Sequence, residues 1–315
     1  MTTESTGRTE AREATEAGET TASAAEFEAH RPRLFSLAYR MLGSASEAED
    51  VVQDAYLRWS GAASGSVLAP AAWLTKVVTN LCLNRLTSAR ARRETYVGPW
   101  LPEPVLTHAG AAEPLGPLES IVQRESVSLA LLTLMERLTP AERAVFVLRE
   151  AFGHSHREVA GAVGIEEAHS RQLHRRARER LGHPRRRFDV DERQRTKIVE
   201  RFFAAALQGD VAGLERLLAD EVVAWSDGGG QVSAARRPVT GRAKVLRYLL
   251  GMGSRPQTAF LTFEFGEANG EPAALILADG ALAGVLVPEV REGLVVGVRT
   301  VLSPGKLAFA AGQLA

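Results

Sequence analysis

The side chains best suited to bind another molecule lie in residues 154–181, HSHREVAGAVGIEEAHSRQLHRRARERL. The pattern predicts a helix over residues 156–163, a turn at Gly164 and a second helix over about 167–181. Glycine fits the turn because it adopts a left-handed backbone without steric cost. This is the helix-turn-helix arrangement, in which the second helix enters the DNA major groove.

The second helix carries basic side chains on the face opposite its apolar residues. Arginine suits DNA because its planar guanidinium binds guanine edges and phosphates in a bidentate manner. Two positions depart from the usual pattern: Glu166 stands where a Ser or Thr commonly caps the helix, and Ser170 stands at a position that is often apolar. A basic, solvated helix in a bundle is the alternative. The candidate DNA contacts here are Arg171, Gln172, His174, Arg175 and Arg178.

Composition restricts the class of protein. Hydrophobic residues make up 45% and charged residues 24% of 315, and the net charge is zero. The charge is segregated, because residues 121–187 contain thirteen Arg against eight Glu. A local basic field favours binding to DNA phosphates. The single Cys82 excludes disulfide frameworks and cysteine metal sites. No metal or cofactor pattern is visible.

No apolar run reaches membrane-spanning length, and the first residues lack a signal-peptide pattern. We therefore expect a cytoplasmic protein without a membrane segment.

Five segments can be separated along the chain. Residues 1–25 contain almost no large apolar side chains, which predicts a disordered tail. Residues 26–95 form a helical block, and residues 96–120 a proline-rich, extended linker. Residues 121–187 form a second helical block that ends in the helix-turn-helix, with Thr139 and Pro140 as a helix start signal. Residues 190–315 combine two helical patterns with four strand-like segments, which predicts an α+β domain with an antiparallel sheet.

Within the first block, a helix over residues 47–59 has an acidic polar face, and Ser46 is predicted to cap it with Glu49 as its capping-box partner. Another helix begins after Pro70 and ends in RLTSARARR. Trp73 has the helical spacing of a core residue, although an aromatic ring there could also stack on a base.

Three segments carry a resemblance to a known family: AEDVVQDAYLRW (48–59), AWLTKVVTNLCLNRLTSARARRE (72–94) and LTPAERAVFVLREAF (138–152) with the helix-turn-helix behind it. The chain resembles extracytoplasmic-function sigma factors, and specifically the subgroup with an extra SnoaL-like C-terminal domain. The subgroup signals are WLPEP (100–104), DGGG (227–230) and PGKL (304–307).

The resemblance implies two all-α domains, a sigma-2-like bundle and a sigma-4-like helix-turn-helix, followed by an α+β, cone-shaped SnoaL-like domain. It also implies binding to core RNA polymerase and to promoter DNA. A solvated acidic face is the alternative to polymerase docking. The implied polymerase contacts are Asp50, Gln53, Asp54 and Arg58. The implied contacts to the −10 element are Lys76, Asn80, Asn84, Arg85, Arg90, Arg92 and Arg93. The second block would read the −35 element.

In the resembling subgroup the C-terminal domain takes the place of a separate anti-sigma factor and contacts the sigma domains. The implied regulatory interface consists of Trp100, Leu101, Pro102, Glu103, Pro104, Asp227, Gly228, Gly229 and Gly230. An Asp before three glycines is also simply a turn. The domain contains no His or Cys, so an enzyme would depend on carboxylates such as Asp227, Glu264 or Asp279.

Two rival functions remain open: a SnoaL-like enzyme and a helix-turn-helix regulator that senses a small ligand. A simple regulator would not need the first helical block. When free, the chain is expected to be a monomer, and the C-terminal pocket could hold an unknown small ligand.

Overall fold

The structure, a computed structural model, describes residues 3–62, 67–94, 96–107, 115, 126–182, 191–253 and 260–315. Its helices in the two helical blocks are α1 (Thr3–Leu42), α2 (Ala45–Ser60), α3 (Pro70–Glu94), α4 (Leu129–Met135), α5 (Pro140–Glu150), α6 (His156–Val163) and α7 (Glu167–Leu181). The remaining elements are α8 (Glu192–Gln208), α9 (Val211–Leu217), β1 (Leu218–Asp227), β2 (Val239–Thr240), α10 (Arg242–Gly253), β3 (Leu261–Ala268), β4 (Glu271–Ala278), β5 (Ala281–Arg291), β6 (Leu294–Val301) and α11 (Pro304–Gly312).

Helix α1 begins at Thr3, so the prediction of a disordered tail over residues 1–25 is wrong for the part that the structure describes. The scarcity of large apolar side chains means that residues 1–25 can bury little apolar surface. It does not prevent a helix, because Ala, Glu and Arg favour one through local propensity and extending an existing helix costs little. The carbonyl of Ser23 in α1 accepts a hydrogen bond from Trp59 Nε1 of α2 at 2.9 Å. Phe27 is fully buried.

Helix α2 begins at Ala45, two residues before its predicted start. Ser44, and not Ser46, accepts a hydrogen bond from the backbone N–H of Glu47. The predicted capping box with Glu49 is therefore wrong. Gly43 follows the end of α1 with φ +68, and only Gly43 and Ser44 lie between the two helices. Ser46 instead contacts the linker, as described below.

The helix-turn-helix prediction is confirmed at both helices. Ser155 and Glu158 form a capping box at the start of α6, and Gly164 ends it with φ +79. Helix α7 begins at Glu167 without a side-chain cap, as the departure at Glu166 predicts. Thr139 and Glu142 form a capping box at α5.

The two helical blocks share one hydrophobic core. Its buried residues extend from Phe27 in α1 to Leu181 at the end of α7. Arg143 of α5, only 2% exposed, donates from Nε and Nη2 to the carbonyl of Arg40 in α1, each at 3.3 Å. Helix α6 also packs against α3. The blocks are therefore held in direct contact.

The C-terminal sheet has the strand order β2-β1-β6-β5-β4-β3. The predicted antiparallel pairing is confirmed for β3 to β6, but β1 lies parallel to β6, so the sheet is mixed. Strand β1 was not predicted from the sequence, because it follows α9 directly and no turn residue marks where it begins. Its register with β6 places Asp227 opposite Val301.

The two faces of this sheet pack against different partners. Helices α8, α9 and α10 cover one face through residues such as Phe202 and Val245. The other face packs against the linker through Leu101 and Leu106, and against α4 through Leu129. The predicted extended linker is thus partly buried between the helical blocks and the sheet, and this packing positions the candidate sites.

Candidate nucleic-acid interface and the buried Asp227 site

The outer face of α7 presents Arg171, Gln172 and Arg175 to solvent. Arg171 Nη1 lies 2.6 Å from Glu167 Oε1, and Arg175 Nε lies 3.6 Å from Glu179 Oε1. Exposed ion pairs of this kind contribute about 0–1 kcal/mol, so a phosphate or a base edge can displace them. Arg178 is half-buried near the end of the helix.

His174 is turned toward α5 and away from the exposed face. Its Nε2 lies 2.9 Å from Glu150 Oε1, and only 13% of its side chain is exposed. The hydrogen bond to His174 lowers the pKa of Glu150. The ring also contacts Phe146 and His156. This geometry favours a role for His174 in holding α7 against α5 over a contact to bases.

Ser170, the second departure from the usual pattern, is completely buried. Its Oγ lies 3.0 Å from His156 Nδ1, so a hydrogen bond links the two helices of the motif where an apolar contact is usual. The buried Ser170 hydroxyl therefore has a hydrogen-bond partner, and the helix-turn-helix geometry is preserved.

The predicted polymerase and −10 residues meet across α2 and α3. Arg85 Nη1 lies 3.2 Å from Asp50 Oδ2, and its Nη2 lies 2.9 Å from Asp54 Oδ2. Arg85 therefore connects the acidic face of α2 to α3. Gln53, Arg58, Lys76 and Asn84 are exposed, and Asn80 is half-buried. Arg90, Arg92 and Arg93 belong to α3, but their side chains lie outside the described residues.

Asp227 is fully buried at the end of β1 and is not simply a turn residue. Its Oδ1 accepts from Tyr96 Oη at 2.6 Å and from Gly229 N at 3.1 Å. Its Oδ2 accepts from Leu101 N at 2.7 Å and from Lys306 Nζ at 2.7 Å. Burial and then the Asp227 carboxylate raise the pKa of Tyr96, so its hydroxyl stays protonated and donates. The carboxylate thus joins the linker to the C-terminal domain.

Lys306 is a site residue that sequence reasoning did not select. Its Nζ also donates to the Leu101 carbonyl at 2.5 Å and lies over the rings of Tyr96 and Trp100, 4.6 and 4.3 Å from their centroids. The PGKL segment is one of the subgroup motifs, but nothing in the sequence identifies Asp227 and Leu101 as the partners of its lysine.

The three glycines after Asp227 are required by close packing. A Cβ on Gly228 would lie 2.3 Å from the Val232 carbonyl oxygen, and one on Gly229 would lie 2.6 Å from Ser303 Oγ. Gly229 and Gly230 also have φ values of +60 and +74. The DGGG segment therefore folds tightly under the start of the linker.

Glu103 of the linker supports the first turn of α2. Its carboxylate accepts from Ser44 Oγ at 2.7 Å and from Ser46 N at 3.0 Å. Its backbone N–H donates to the Gly43 carbonyl at 2.9 Å. Leu101 is buried, as are Pro102 and Pro104, and Trp100 packs close to Gly43. The WLPEP segment thus makes a direct contact between the linker and the first helical block.

Asn269 in the β3–β4 turn is the second residue that the sequence did not single out. It is fully buried, with φ +57. Its Nδ2 donates to Tyr39 Oη at 2.6 Å and to the Val127 carbonyl at 2.8 Å. Its Oδ1 accepts from Val105 N at 3.1 Å. One side chain therefore contacts the first helical block, the linker and the start of the second block.

In the described part of the chain, no group of three or more His, Cys, Asp or Glu side chains is arranged to hold a metal ion. None of its helices is both long and apolar enough to cross a bilayer.

Two family models match the helical blocks. The model for Sigma-70 region 2 matches residues 27–92, and the model for Sigma-70, region 4 matches residues 128–181. The match to region 2 decides against both rival functions, since neither a ligand-sensing regulator nor an enzyme requires that block.

Full-length relatives extend the comparison to the C-terminal domain. ECF RNA polymerase sigma factor SigJ of Mycobacterium tuberculosis is 38% identical over 291 residues, which cover 89% of this chain and 92% of that protein. Probable ECF RNA polymerase sigma factor SigI of the same species is 33% identical over 288 residues, which cover 90% and 94%. The crystal structure of M. tuberculosis SigJ aligns with a TM-score of 0.73 at 35% identity, covering 91% of this chain and 98% of that one.

These matches confirm the predicted fold class of two all-α domains and an α+β SnoaL-like domain. The chain belongs to the extracytoplasmic-function family of RNA polymerase sigma factors, which are transcription initiation factors and not enzymes.

Proposed function

We propose that the C-terminal domain (191–315) is a built-in regulator of this sigma factor. It holds region 2 (27–92) and region 4 (128–181) against each other in a closed form. Its release would let the two regions engage separate parts of the promoter. The partners are core RNA polymerase, promoter DNA and, within the chain, the C-terminal domain itself.

The contact set of Asn269 carries the proposal. A buried side chain that satisfies its donors and acceptor on three separate segments stabilises their relative placement, because losing any of the three leaves a polar group unpaired. The segments are α1 through Tyr39, the linker through Val105, and the approach to α4 through Val127. Burial raises the pKa of Tyr39, which keeps its hydroxyl neutral.

The shared core of the helical blocks supports the same conclusion. Helices that bury side chains in one core cannot at the same time sit on separate promoter elements. Arg143 and Arg40 would lose their contact when the regions part. The closed form is therefore a state that precedes promoter binding.

In the open form, α7 would read the −35 element, with base contacts nearer its start at Arg171 and Gln172 and with Arg175 and Arg178 further along. The exposed polar face of α3 would contact the −10 element through residues such as Lys76 and Asn84. The acidic face of α2 around Asp50 and Asp54 would dock on core polymerase. We propose a cytoplasmic protein that is a monomer when free.

The test is run-off transcription with core RNA polymerase and full-length protein, comparing Asn269→Gly with Asp279→Gly. Glycine keeps the left-handed backbone at both positions, where φ is +57 and +50. Asp279 is exposed in the next hairpin turn and provides a matched control. We expect Asn269→Gly to raise the amount of transcript several-fold and Asp279→Gly to leave it unchanged. Equal transcript from all three proteins, or a loss in Asn269→Gly, would contradict the proposed restraint.

A further inference from the structure

A cavity of about 430 Å³ lies between α4 of region 4 and the sheet of the C-terminal domain. Its size falls within the range of about 300–1,000 Å³ that is typical of small-molecule sites. It lies on the sheet face that packs against region 4, the same face as Asp227, but its lining does not include Asp227. Its lining includes the charged side chains Arg137, Glu221, Glu289, Arg291 and Arg299, together with Thr133 and Trp225.

The lining of the cavity as a whole has more positive than negative charge, because Arg137, Arg291 and Arg299 face only two carboxylates, Glu221 and Glu289. Arg299 Nη1 lies 2.9 Å from Glu289 Oε2, and Arg291 Nη2 lies 2.5 Å from Glu289 Oε1. Burial alone would raise the pKa of Glu289, but the two guanidinium groups lower it, so the carboxylate is ionised. One carboxylate therefore faces two guanidinium groups.

Both arginines keep a buried hydrogen-bond donor without an acceptor. Arg299 is only 6% exposed, and its Nε makes no hydrogen bond to any described residue; the same holds for Nε of Arg291. Buried polar atoms almost always have a partner, and an exception commonly marks a missing water, ion or ligand. Neither Nε atom has accessible surface, so a small anion in the cavity would bind to the guanidinium Nη atoms, or would accept from Nε only after a small movement of these side chains.

The remaining walls suit an apolar body attached to an acid group. The Arg299 guanidinium lies over the Trp225 ring, 4.6 Å from its centroid, which fixes both side chains. Thr133 lines the α4 side, and the exposed Arg137 lies at the end of that helix. A ligand here would touch region 4 and the C-terminal domain at once.

We propose that this cavity binds a small organic anion, with its carboxylate or phosphate group on Arg299 and Arg291 and its apolar part between Trp225 and α4. Binding itself does not depend on the proposed regulation. If the C-terminal domain does restrain region 4, as proposed above, such a ligand would stabilise the closed form, because it contacts both partners.

Fluorine-19 NMR on the full-length protein tests the site with 4-fluorobenzoate as the probe and neutral 4-fluorobenzamide as its matched control. We expect the benzoate signal to broaden in a saturable manner and the benzamide signal to broaden far less. Replacing Arg291 or Arg299 with Gln should weaken benzoate binding about tenfold, the effect of one lost hydrogen bond to a charged group. Arg247→Gln, at an exposed position of α10 away from the cavity, should bind like the unchanged protein.

Equal broadening by both probes, or equal binding by Arg291→Gln and Arg247→Gln, would overturn the site. Arg291 is partly exposed, so this variant keeps the test valid if the buried Arg299→Gln fails to fold. Adding inorganic phosphate as competitor separates a phosphate site from a carboxylate site. Saturable, Arg291-dependent binding that leaves run-off transcription unchanged would support the site and overturn only its link to the regulation.

Discussion

The ammonium group of Lys306 lies 2.7 Å from Oδ2 of Asp227, and both side chains are almost completely withdrawn from solvent. The same ammonium donates to the Leu101 carbonyl, while Asp227 accepts from the Leu101 N–H. The ion pair therefore lies within the C-terminal domain, and it also forms hydrogen bonds with both the backbone N–H and the carbonyl of Leu101 in the linker.

Lys306→Met should leave the buried Asp227 carboxylate without its charged partner. Breaking a buried ion pair by removing one side costs about 3–5 kcal/mol. We expect the free energy of unfolding of the full chain, measured by urea denaturation, to fall by this order. Lys244→Met, at an exposed position of α10, is the control and should change it little. Equal stability of the two variants would show that the pair does not hold the linker.

Glu103→Ala should weaken the start of α2 from outside the helix. The change leaves the buried Ser44 hydroxyl and the Ser46 N–H without their carboxylate acceptor, at a cost of about 1–3 kcal/mol. Hydrogen exchange measured by mass spectrometry should increase in the peptide that covers the first turn of α2. Glu103→Gln retains one acceptor oxygen and should give an intermediate increase; an unchanged α2 in both variants would refute the capping role.

Arg171→Ala and Arg175→Ala test the reading of the −35 element. A base contact should cost about 1–3 kcal/mol on the selected promoter and little on random DNA, whereas a phosphate contact should cost similar amounts on both. The measurement is holoenzyme affinity for the two DNAs by fluorescence anisotropy. Arg216→Ala, exposed in α9, is the control. Unchanged affinity in both α7 variants would exclude this face of α7 from the interface.

Asp54→Asn should reduce affinity for core polymerase while leaving the protein folded. The Arg85–Asp54 pair is partly exposed, so its loss should cost less than about 1 kcal/mol of stability. Asp220→Asn is a matched control, because Asp220 forms a comparable exposed pair with Arg242 at 2.8 Å. Competition for core polymerase against the unchanged protein should separate the two variants; equal competition would remove Asp54 from the docking surface.

The parts of the fold that could be predicted from sequence have local causes. Thr139, Pro140 and Gly164 act through their own backbone geometry, and the structure has them at the predicted helix ends. The spacing of apolar residues likewise located α6 and α7 correctly. The helix-turn-helix could therefore be predicted without knowledge of its tertiary contacts.

The remaining contacts could not be predicted, because their partners are far apart in the sequence. Ser44 is the cap in place of Ser46, since Gly43 turns the chain one residue after α1 and Glu103 occupies Ser46. Asn269 looks like an ordinary hairpin-turn residue until Tyr39 and Val127 surround it. Parallel pairing of β1 with β6 was equally invisible, because nothing local distinguishes it from antiparallel pairing.

Because Asn269 lies late in the chain, it is synthesised after regions 2 and 4. Regions 2 and 4 leave the ribosome before the turn that joins them has been synthesised. At about 5–20 residues per second, the stretch after Leu181 takes on the order of ten seconds to make. If the C-terminal domain restrains regions 2 and 4 as proposed, each newly made molecule passes through an interval in which both regions are complete and the contacts of Asn269 do not yet exist.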